Sequence, residues 1–169
     1  PTHNHLRVWW ERYPTSNVGM ALGPVSRLVG IDVDSAAGAL LLEELSQWKL
    51  PTTLEFATPS GGFRLLYTLP PGHPGPRSKS YRDAITGKEI LRVLGAGTQT
   101  VLPPSLHANG KHYAWSPRLS PSDRRPAPCP HWLLAELTTK AKKEDQEDLP
   151  HAPRTPSIHH AGSQDPYLR

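Results

Sequence analysis

Two aspartates separated by one residue, Asp32 and Asp34, follow an apolar run and are well suited to chemistry. The run, residues 27–31, predicts a strand, in which alternate side chains share a face at roughly 3.3 Å per residue. Asp32 and Asp34 therefore face the same side, with roughly 6–7 Å between their stems. Two such carboxylates repel and lose solvation unless a cation or a positive side chain lies between them. Mg²⁺ or Mn²⁺ would meet this need, and these ions also bind substrate phosphates.

The same segment also fits a purely structural role. Asp34 or Ser35 could cap a helix that begins near Ala36, because both side chains accept hydrogen bonds from the first free amides of a helix. The spacing of Asp32 and Asp34 alone does not separate this role from metal binding.

A glycine-rich turn precedes another predicted strand, with the sequence Thr58-Pro59-Ser60-Gly61-Gly62. Backbone N–H groups of such a turn can approach a phosphate closely, and Arg64 on the following strand could add a bidentate donor. The alternative is an ordinary hairpin turn.

Three further side chains are candidate ligand contacts. Arg92 lies on a predicted strand, where it could neutralise an acid, bind phosphate or simply be exposed. The Pro103-Pro104 pair rigidifies the exit from the next strand, so Ser105 and His107 would lose little entropy on binding a ligand. A single histidine is nevertheless more often structural than ligand-binding.

These residues need a scaffold of short elements, which the composition predicts. Twenty prolines against 13 glycines favour short strands, turns and extended linkers, so we expect an α+β or β-rich domain. Apolar spacing of three and four predicts a helix over 36–48, and a shorter helix over 5–12 ends before a proline. Gly23-Pro24 suits a hairpin or tight connection between the first two strands, and the proline-rich residues 70–80 form a loop. The predicted strands cover residues 17–22, 27–34, 53–57, 63–69, 88–94, 98–102 and 112–115.

Charge, cysteine content and hydropathy bound the environment and the domain. The net charge of +4 makes polyanionic partners plausible, and the single Cys129 excludes an intramolecular disulfide, which favours a reducing, cytoplasmic compartment. The sequence contains no run of about 18 apolar residues, so it does not predict a membrane span. We expect one domain over residues 1–137, with a truncated N-terminal edge because the chain begins at Pro1. Residues 138–169 predict a disordered charged and Pro/His-rich linker or tail.

These motifs in this order resemble those of the N-terminal domain of bifunctional DNA primase/polymerases. This is the prim-pol branch of the archaeo-eukaryotic primase superfamily, found on phages and plasmids and in bacterial genomes. The resemblance runs from about Trp9 to Leu134. Its motifs are residues 14–23, the Gly-Ile-Asp-Val-Asp segment, the Thr-Pro-Ser-Gly-Gly turn, and Gln-Thr-Val-Leu-Pro-Pro-Ser-Leu-His with Gly110 and Tyr113-Ala114-Trp115 after it.

The resemblance implies an α+β fold, with a mixed α/β core related to the RNA-recognition fold and few helices packed on the strands. It implies template-directed transfer from NTP or dNTP to a 3′-hydroxyl in DNA replication, with a single-stranded DNA template and a possible downstream helicase domain. Asp32 and Asp34 match the carboxylates that hold the catalytic Mg²⁺ or Mn²⁺. The implied nucleotide-binding residues are Ser60, Gly61, Gly62, Arg64, Arg92, Ser105 and His107. Basic residues that could follow the template backbone are Arg77, Lys79, Arg82, Lys88 and Lys111.

Two positions depart from the family pattern. Much of the family carries a phosphate-contacting histidine where this chain has Arg64, and a further acid where it has Arg92. Glu89 lies three positions before Arg92, so it could replace that acid only if a bulge or a shifted alignment turns it to the same face. The departures leave two alternatives to a polymerase: a non-catalytic protein that binds single-stranded nucleic acid, and a metal-dependent nuclease or nucleotide hydrolase.

Overall fold

The computed structural model describes residues 2–138, and in the last helix it describes side chains as far as residue 135. This part of the chain is an α+β domain with an antiparallel sheet and few helices, which confirms the fold class predicted from the sequence. In chain order the elements are α1 (His3–Arg12), β1 (Val18–Ala21), β2 (Leu28–Val33), α2 (Ala36–Leu45), β3 (Leu54–Ala57), β4 (Phe63–Thr68), β5 (Lys79–Arg82), β6 (Glu89–Leu94), β7 (Gln99–Leu102), β8 (Ala114–Trp115) and α3 (His131–Thr138).

The strand that carries Asp32, β2, lies in the interior of a six-stranded antiparallel sheet of order β5-β6-β2-β4-β3-β8. It pairs with β6 on one side and with β4 on the other. Strands β1 and β7 form a separate two-stranded antiparallel ribbon. Because cross-strand neighbours share a face, each paired β2 side chain meets side chains from both adjoining strands.

Hydrophobic clusters cover both faces of the six-stranded sheet. Ile31 of β2 and Leu133 of α3 belong to the cluster on the helix side, and neither is exposed to solvent. Phe56 of β3 belongs to the second cluster, against which Leu102 of the ribbon packs. Each fully buried aliphatic or aromatic side chain of this kind contributes about 1.5–3 kcal/mol. Since side chains alternate along β2, Asp32 lies on the face opposite Ile31, beneath the ribbon.

The helix after β2 begins with a serine cap. The Ser35 side chain accepts a hydrogen bond of 3.2 Å from the Gly38 amide, so the capping role considered for Asp34 or Ser35 belongs to Ser35. The helix ends at Leu45, short of the predicted end at residue 48. Gln47 has a φ of 52°, and the residue after it is also left-handed, so the chain leaves the helical conformation there.

Two features of the strand pattern differ from the sequence-based expectation. Of the two connections predicted at Gly23-Pro24, the structure has the tight connection and not the hairpin, because β1 pairs with β7 and only an isolated bridge joins Gly23 to Leu28. Leu22, the residue after β1, is buried in the second hydrophobic cluster, against which Leu102 of the ribbon packs. The predicted loop over 70–80 also ends early, since β5 begins at Lys79; this edge strand is polar and lacks an apolar alternation.

The C-terminal part of the described chain forms α3. Its Leu133 is buried in the helix-side cluster, and the helix includes Thr138, the first residue of the predicted tail. The remainder of that tail, residues 139–169, lies outside the described residues. None of the helices within residues 2–138 is long and apolar enough to cross a membrane.

Candidate active site

Asp32 is flanked by an arginine on each side. In the β2–β4 register its partner is Arg64, and in the β2–β6 register its partner is Arg92. Cross-strand neighbours on one face have Cβ atoms about 4.5–5.5 Å apart, so both guanidinium groups can reach the carboxylate. One carboxylate and two arginines thus form a row across the centre of the sheet.

Arg64 makes contacts with three other strands. Its Nη2 donates a hydrogen bond to Asp32 Oδ2 in an ion pair, and its Nη1 donates to Thr100 Oγ1 on β7 at 2.8 Å. Its guanidinium carbon lies 5.9 Å from the centre of the Phe56 ring on β3, within cation–π range. Only 12% of the Arg64 side chain and 14% of the Asp32 side chain are exposed. Arg64 is therefore held in place largely out of solvent.

Three polar atoms of this row are buried without a hydrogen-bond partner among the described residues: Asp32 Oδ1, Arg64 Nε and Arg92 Nε. Buried polar atoms in folded proteins are almost always paired, and those that are not often mark functional positions. The acceptor atom suits a cation, and the two donors suit an anion. The row therefore has the chemistry to bind a metal ion together with phosphate.

Asp34 is the first residue after β2, and its amide donates a hydrogen bond of 3.1 Å to the Ile90 carbonyl of β6. Its side chain is exposed, but nearby protein atoms desolvate the carboxyl group enough to raise its pKa. The negative charges of Asp32 and Glu89 raise this pKa further, and Arg64 and Arg92 partly counteract them. Three acidic and two basic side chains therefore form one electrostatic cluster, with a formal charge of −1.

We expect Asp34→Asn to raise the stability of the metal-free domain slightly at neutral pH. Because the pKa of Asp34 is raised in the folded state, that state binds more protons than the unfolded chain between the two pKa values, and stability falls as the pH rises through this interval. Asparagine removes that loss, which should amount to less than about 0.5 kcal/mol, as for other surface changes. The difference should vanish near pH 3, below the unfolded-state pKa of about 3.9. Urea unfolding of both proteins at about pH 3 and at pH 7 measures it, and a less stable variant at pH 7 would contradict the expectation.

Glu89 approaches the cluster because β6 contains a bulge. Along β5 the partners of Tyr81 and Arg82 are Leu91 and Glu89, so Ile90 is an extra residue on β6. The Arg92 Nη1 and Glu89 Oε1 atoms lie 3.9 Å apart, a loose pair that contributes little to stability. A bulge was one of the two conditions under which the sequence predicts that Glu89 could share the face of Arg92; that Glu89 takes the role of an acid of the family stays a prediction.

The glycine-rich turn lies against the end of β2. A Cβ atom on Gly62 would be 2.0 Å from the Val33 carbonyl oxygen and 3.1 Å from the Cα of Asp34, so only glycine fits there. Ser60 is exposed in the turn. The Gly61 amide already donates a hydrogen bond of 3.0 Å to the Thr58 carbonyl, so it is not available to a phosphate in this conformation.

Ser105 and His107 occupy different environments. Ser105 is buried, and its hydroxyl accepts a hydrogen bond of 2.8 Å from the Val18 amide, so it anchors the start of β1. His107 is half-buried and lies edge-on to the Tyr113 ring, 6.2 Å between centroids. The Asn109 side chain of the same loop donates to the Pro59 carbonyl at 3.1 Å, which joins this loop to the glycine-rich turn.

Two contact residues were not singled out from the sequence. Thr100 accepts a hydrogen bond from Arg64, and Asn109 connects the His107 loop to the turn. Thr100 belongs to a predicted strand, but its contact with Arg64 depends on where the β1–β7 ribbon lies. That position follows from a non-local strand pairing, which the sequence does not reveal. Asn109 lies in a tight turn, in which the Gly110 amide donates a hydrogen bond to the His107 carbonyl.

Asp32 and Asp34 fit a hard divalent ion. Mg²⁺ is commonly bound by one or two carboxylates, with water and substrate phosphates completing its shell. The unpartnered Asp32 Oδ1 and the exposed Asp34 carboxylate supply such oxygens. Within residues 2–138 there is no group of three or more His, Cys, Asp or Glu side chains arranged to hold a metal by themselves. A metal held by Asp32 and Asp34 would take its remaining ligands from water or from substrate phosphates.

A model of the bifunctional DNA primase/polymerase N-terminal family, Prim-Pol, matches residues 1–132. The chain belongs to this family. Prim-Pol membership means a DNA primase/polymerase domain, a nucleotidyltransferase-type enzyme of a generally metal-dependent family that handles DNA and nucleotides. No curated protein and no solved structure gave a significant match to the chain.

The two positions that the sequence predicts to depart from the family pattern lie beside the same residue, since Arg64 and Arg92 are the cross-strand neighbours of Asp32. Two arginines make the surroundings of Asp32 more positive than a histidine and an acid would.

Proposed function

We propose that this domain catalyses template-directed nucleotidyl transfer from an NTP or dNTP to a 3′-hydroxyl, with Asp32 and Asp34 as the ligands of Mg²⁺ or Mn²⁺. The observation that carries the proposal is the position of the two carboxylates at the end of the central strand of a Prim-Pol domain, with the glycine-rich turn packed on Asp34. A bound ion would lower the pKa of the attacking hydroxyl and stabilise the departing pyrophosphate.

The other residues of the site would bind and orient the nucleotide. Arg64 and Arg92 present guanidinium groups, including two buried Nε atoms without partners among the described residues, toward the row that contains Asp32. Charge-assisted hydrogen bonds from arginine to phosphate are short and often bidentate. His107 is placed near the glycine-rich turn through Asn109, so it could contact the same nucleotide.

Arg64→Ala should weaken nucleotide binding by about 1.5–3 kcal/mol, the range for hydrogen bonds to charged groups. Binding of single-stranded DNA should change much less, because the contacts of Arg64 lie inside the site and not on the outer surface. Calorimetry with a non-hydrolysable dNTP in the presence of Mn²⁺ measures the first effect, and fluorescence anisotropy measures the second. Arg7→Ala is a matched control, since Arg7 is an exposed arginine of α1 paired with Glu11. Nucleotide affinity equal to that of wild type would remove Arg64 from the site.

We propose single-stranded DNA as the template partner, along the surface of the β5–β6 hairpin. Strand β5 carries basic residues, and it pairs with β6, the strand that contains Arg92. Arg82 is oriented by a hydrogen bond of 3.0 Å to the Gly87 carbonyl, and Lys79 lies over the Tyr81 ring at 4.6 Å. Neutralisation of DNA phosphates by such side chains makes affinity strongly dependent on salt.

The surroundings of the domain are also proposals. A domain over residues 1–137, followed by a linker over 138–169, would suit a longer cytoplasmic replication protein in which a helicase follows. The helicase rests on analogy with the family and not on any residue of this chain.

A second candidate function is a Prim-Pol domain that binds nucleic acid without catalysis. The ion pair between Arg64 and Asp32 favours it, because a positive side chain already occupies one oxygen of the central carboxylate. Primer-extension and de novo synthesis assays with Mg²⁺ and with Mn²⁺ distinguish the candidates. Extension of the primer supports the polymerase, degradation indicates a nuclease, and DNA binding without either product supports the non-catalytic alternative.

A further inference from the structure

The contact between Arg64 and Asp32 bears on how a metal can bind. One oxygen of Asp32, Oδ2, accepts a hydrogen bond from Arg64, while the other, Oδ1, is buried and unpartnered among the described residues. A guanidinium group and a divalent cation compete for one carboxylate, because both require its negative charge and repel each other. Arg64 therefore opposes a metal at the free Oδ1 through its positive charge, although it is bonded to the other oxygen.

We propose that Arg64 is an internal cation that competes with the divalent metal for Asp32, and that the arriving triphosphate removes this competition by binding the guanidinium. The inference rests on the proposed function, since it concerns the same metal and nucleotide. Its consequence is that metal and nucleotide bind cooperatively, each weakly when alone.

The charges of the cluster support this coupling. With Arg64 on Asp32, the three acids and two arginines carry a formal charge of −1, which attracts a divalent ion only weakly. Arg64 cannot simply be displaced, because a largely buried guanidinium without a partner costs several kcal/mol. A triphosphate brings negative charge for both the guanidinium and the metal, so it removes both obstacles.

The remaining contacts of Arg64 allow such an exchange. Its bond to Thr100 and its contact with the Phe56 ring come from β7 and β3, and neither involves Asp32. They would keep the guanidinium inside the site while its partner changes from a carboxylate to a phosphate. By linkage, whatever the nucleotide adds to metal affinity, the metal adds to nucleotide affinity.

The competition between Arg64 and the metal is tested by titrating the protein with Mn²⁺ in the absence of nucleotide. Electron paramagnetic resonance measures the free ion. Arg64→Ala should bind Mn²⁺ about tenfold more tightly than wild type, because the competing charge is gone. Arg92→Ala is the matched control: it removes the same charge from the other neighbour of Asp32, but no ion pair with Asp32, and should increase affinity much less. Equal or weaker Mn²⁺ binding by Arg64→Ala would overturn the proposal.

A second measurement tests the coupling itself. The affinity of a non-hydrolysable dNTP analogue is measured by calorimetry in EDTA and in saturating Mn²⁺. The factor by which Mn²⁺ strengthens analogue binding should be about tenfold larger in wild type than in Arg64→Ala. An equal factor in both proteins would contradict the exchange of partners.

Arg64→His provides a test if Arg64→Ala does not fold. At pH 8 the imidazole is mostly neutral, so it keeps a polar group in the site without a competing charge. This variant should bind Mn²⁺ more tightly than wild type at pH 8, and unchanged affinity would overturn the proposal. Circular dichroism and thermal unfolding establish that each variant is folded.

Failure of this proposal differs from failure of the proposed function. If wild type extends primers in a Mn²⁺-dependent manner but Arg64→Ala does not bind the ion more tightly, the competition is wrong and the polymerase stands. If Arg64→Ala binds Mn²⁺ more tightly but wild type extends no primer under any condition, the competition stands and the polymerase is wrong.

Discussion

Replacing both Asp32 and Asp34 by asparagine should reduce metal-dependent synthesis by at least about two orders of magnitude. The two carboxylates are the proposed metal ligands, and loss of a group that stabilises the developing charge costs about 10²–10³-fold in other enzymes. Primer extension in Mg²⁺ and in Mn²⁺ measures the loss. A double substitution of Glu43 and Glu44 by glutamine, which removes two charges from α2 instead, is the control.

The stability of this double variant should fall only moderately. Asparagine in place of Asp32 would deprive Arg64 of its charged partner, which should cost about 1–3 kcal/mol, while the change at position 34 relieves repulsion. Urea unfolding separates this loss from loss of catalysis. A folded double variant that retains metal-dependent synthesis would show that these carboxylates do not hold the catalytic ion.

Gly62→Ala should damage both stability and catalysis. The added methyl group would lie 2.0 Å from the Val33 carbonyl oxygen, so the turn and the end of β2 would have to separate. We expect a loss of about 3 kcal/mol, in the upper part of the range for overpacked sites. Because the Cα of Asp34 is the next nearest atom, its carboxylate should also shift, and a displacement of about 1 Å can cost about 10²-fold in rate.

The neighbouring glycine provides the control for this substitution. Gly61 has a φ of 96°, and its added Cβ would meet no atom within 4 Å. Gly61→Ala should therefore cost about 1–2 kcal/mol through the left-handed conformation, without displacing Asp34. Thermal unfolding and primer extension are measured for both variants. Equal losses of synthesis in the two would show that contact with β2 is not what Gly62 provides.

Local pattern predicted much of this fold. The serine cap and apolar spacing located α2, the Thr58–Gly62 segment located the turn between β3 and β4, and the Asp-Val-Asp spacing located the carboxylates at a strand end. Each of these features depends on residues close in sequence, whose conformational preferences act within a few positions.

Features that depend on register could not be predicted in the same way. Nothing in the sequence indicates that residues 64 and 92 are both neighbours of Asp32, because this follows from which strands pair and at which residues. The pairing of β1 with β7 was missed for the same reason. Ser105 illustrates the effect: nothing in the sequence indicates that its hydroxyl accepts a hydrogen bond from the Val18 amide, and a ligand contact by Ser105 stays a prediction.

The backbone conformation at Asp34 is held by contacts that do not involve the Asp34 side chain. Its amide is bonded to Ile90, the glycine-rich turn packs against its Cα, and the α2 cap follows immediately at Ser35. None of these contacts involves the carboxylate, so the backbone at position 34 should keep its conformation if another side chain were placed there. A histidine at this position would offer a softer nitrogen donor from the same location, favouring transition metals over Mg²⁺. If Asp34 holds the proposed ion, the metal preference of this site could be changed at the end of β2 without changing the rest of the fold.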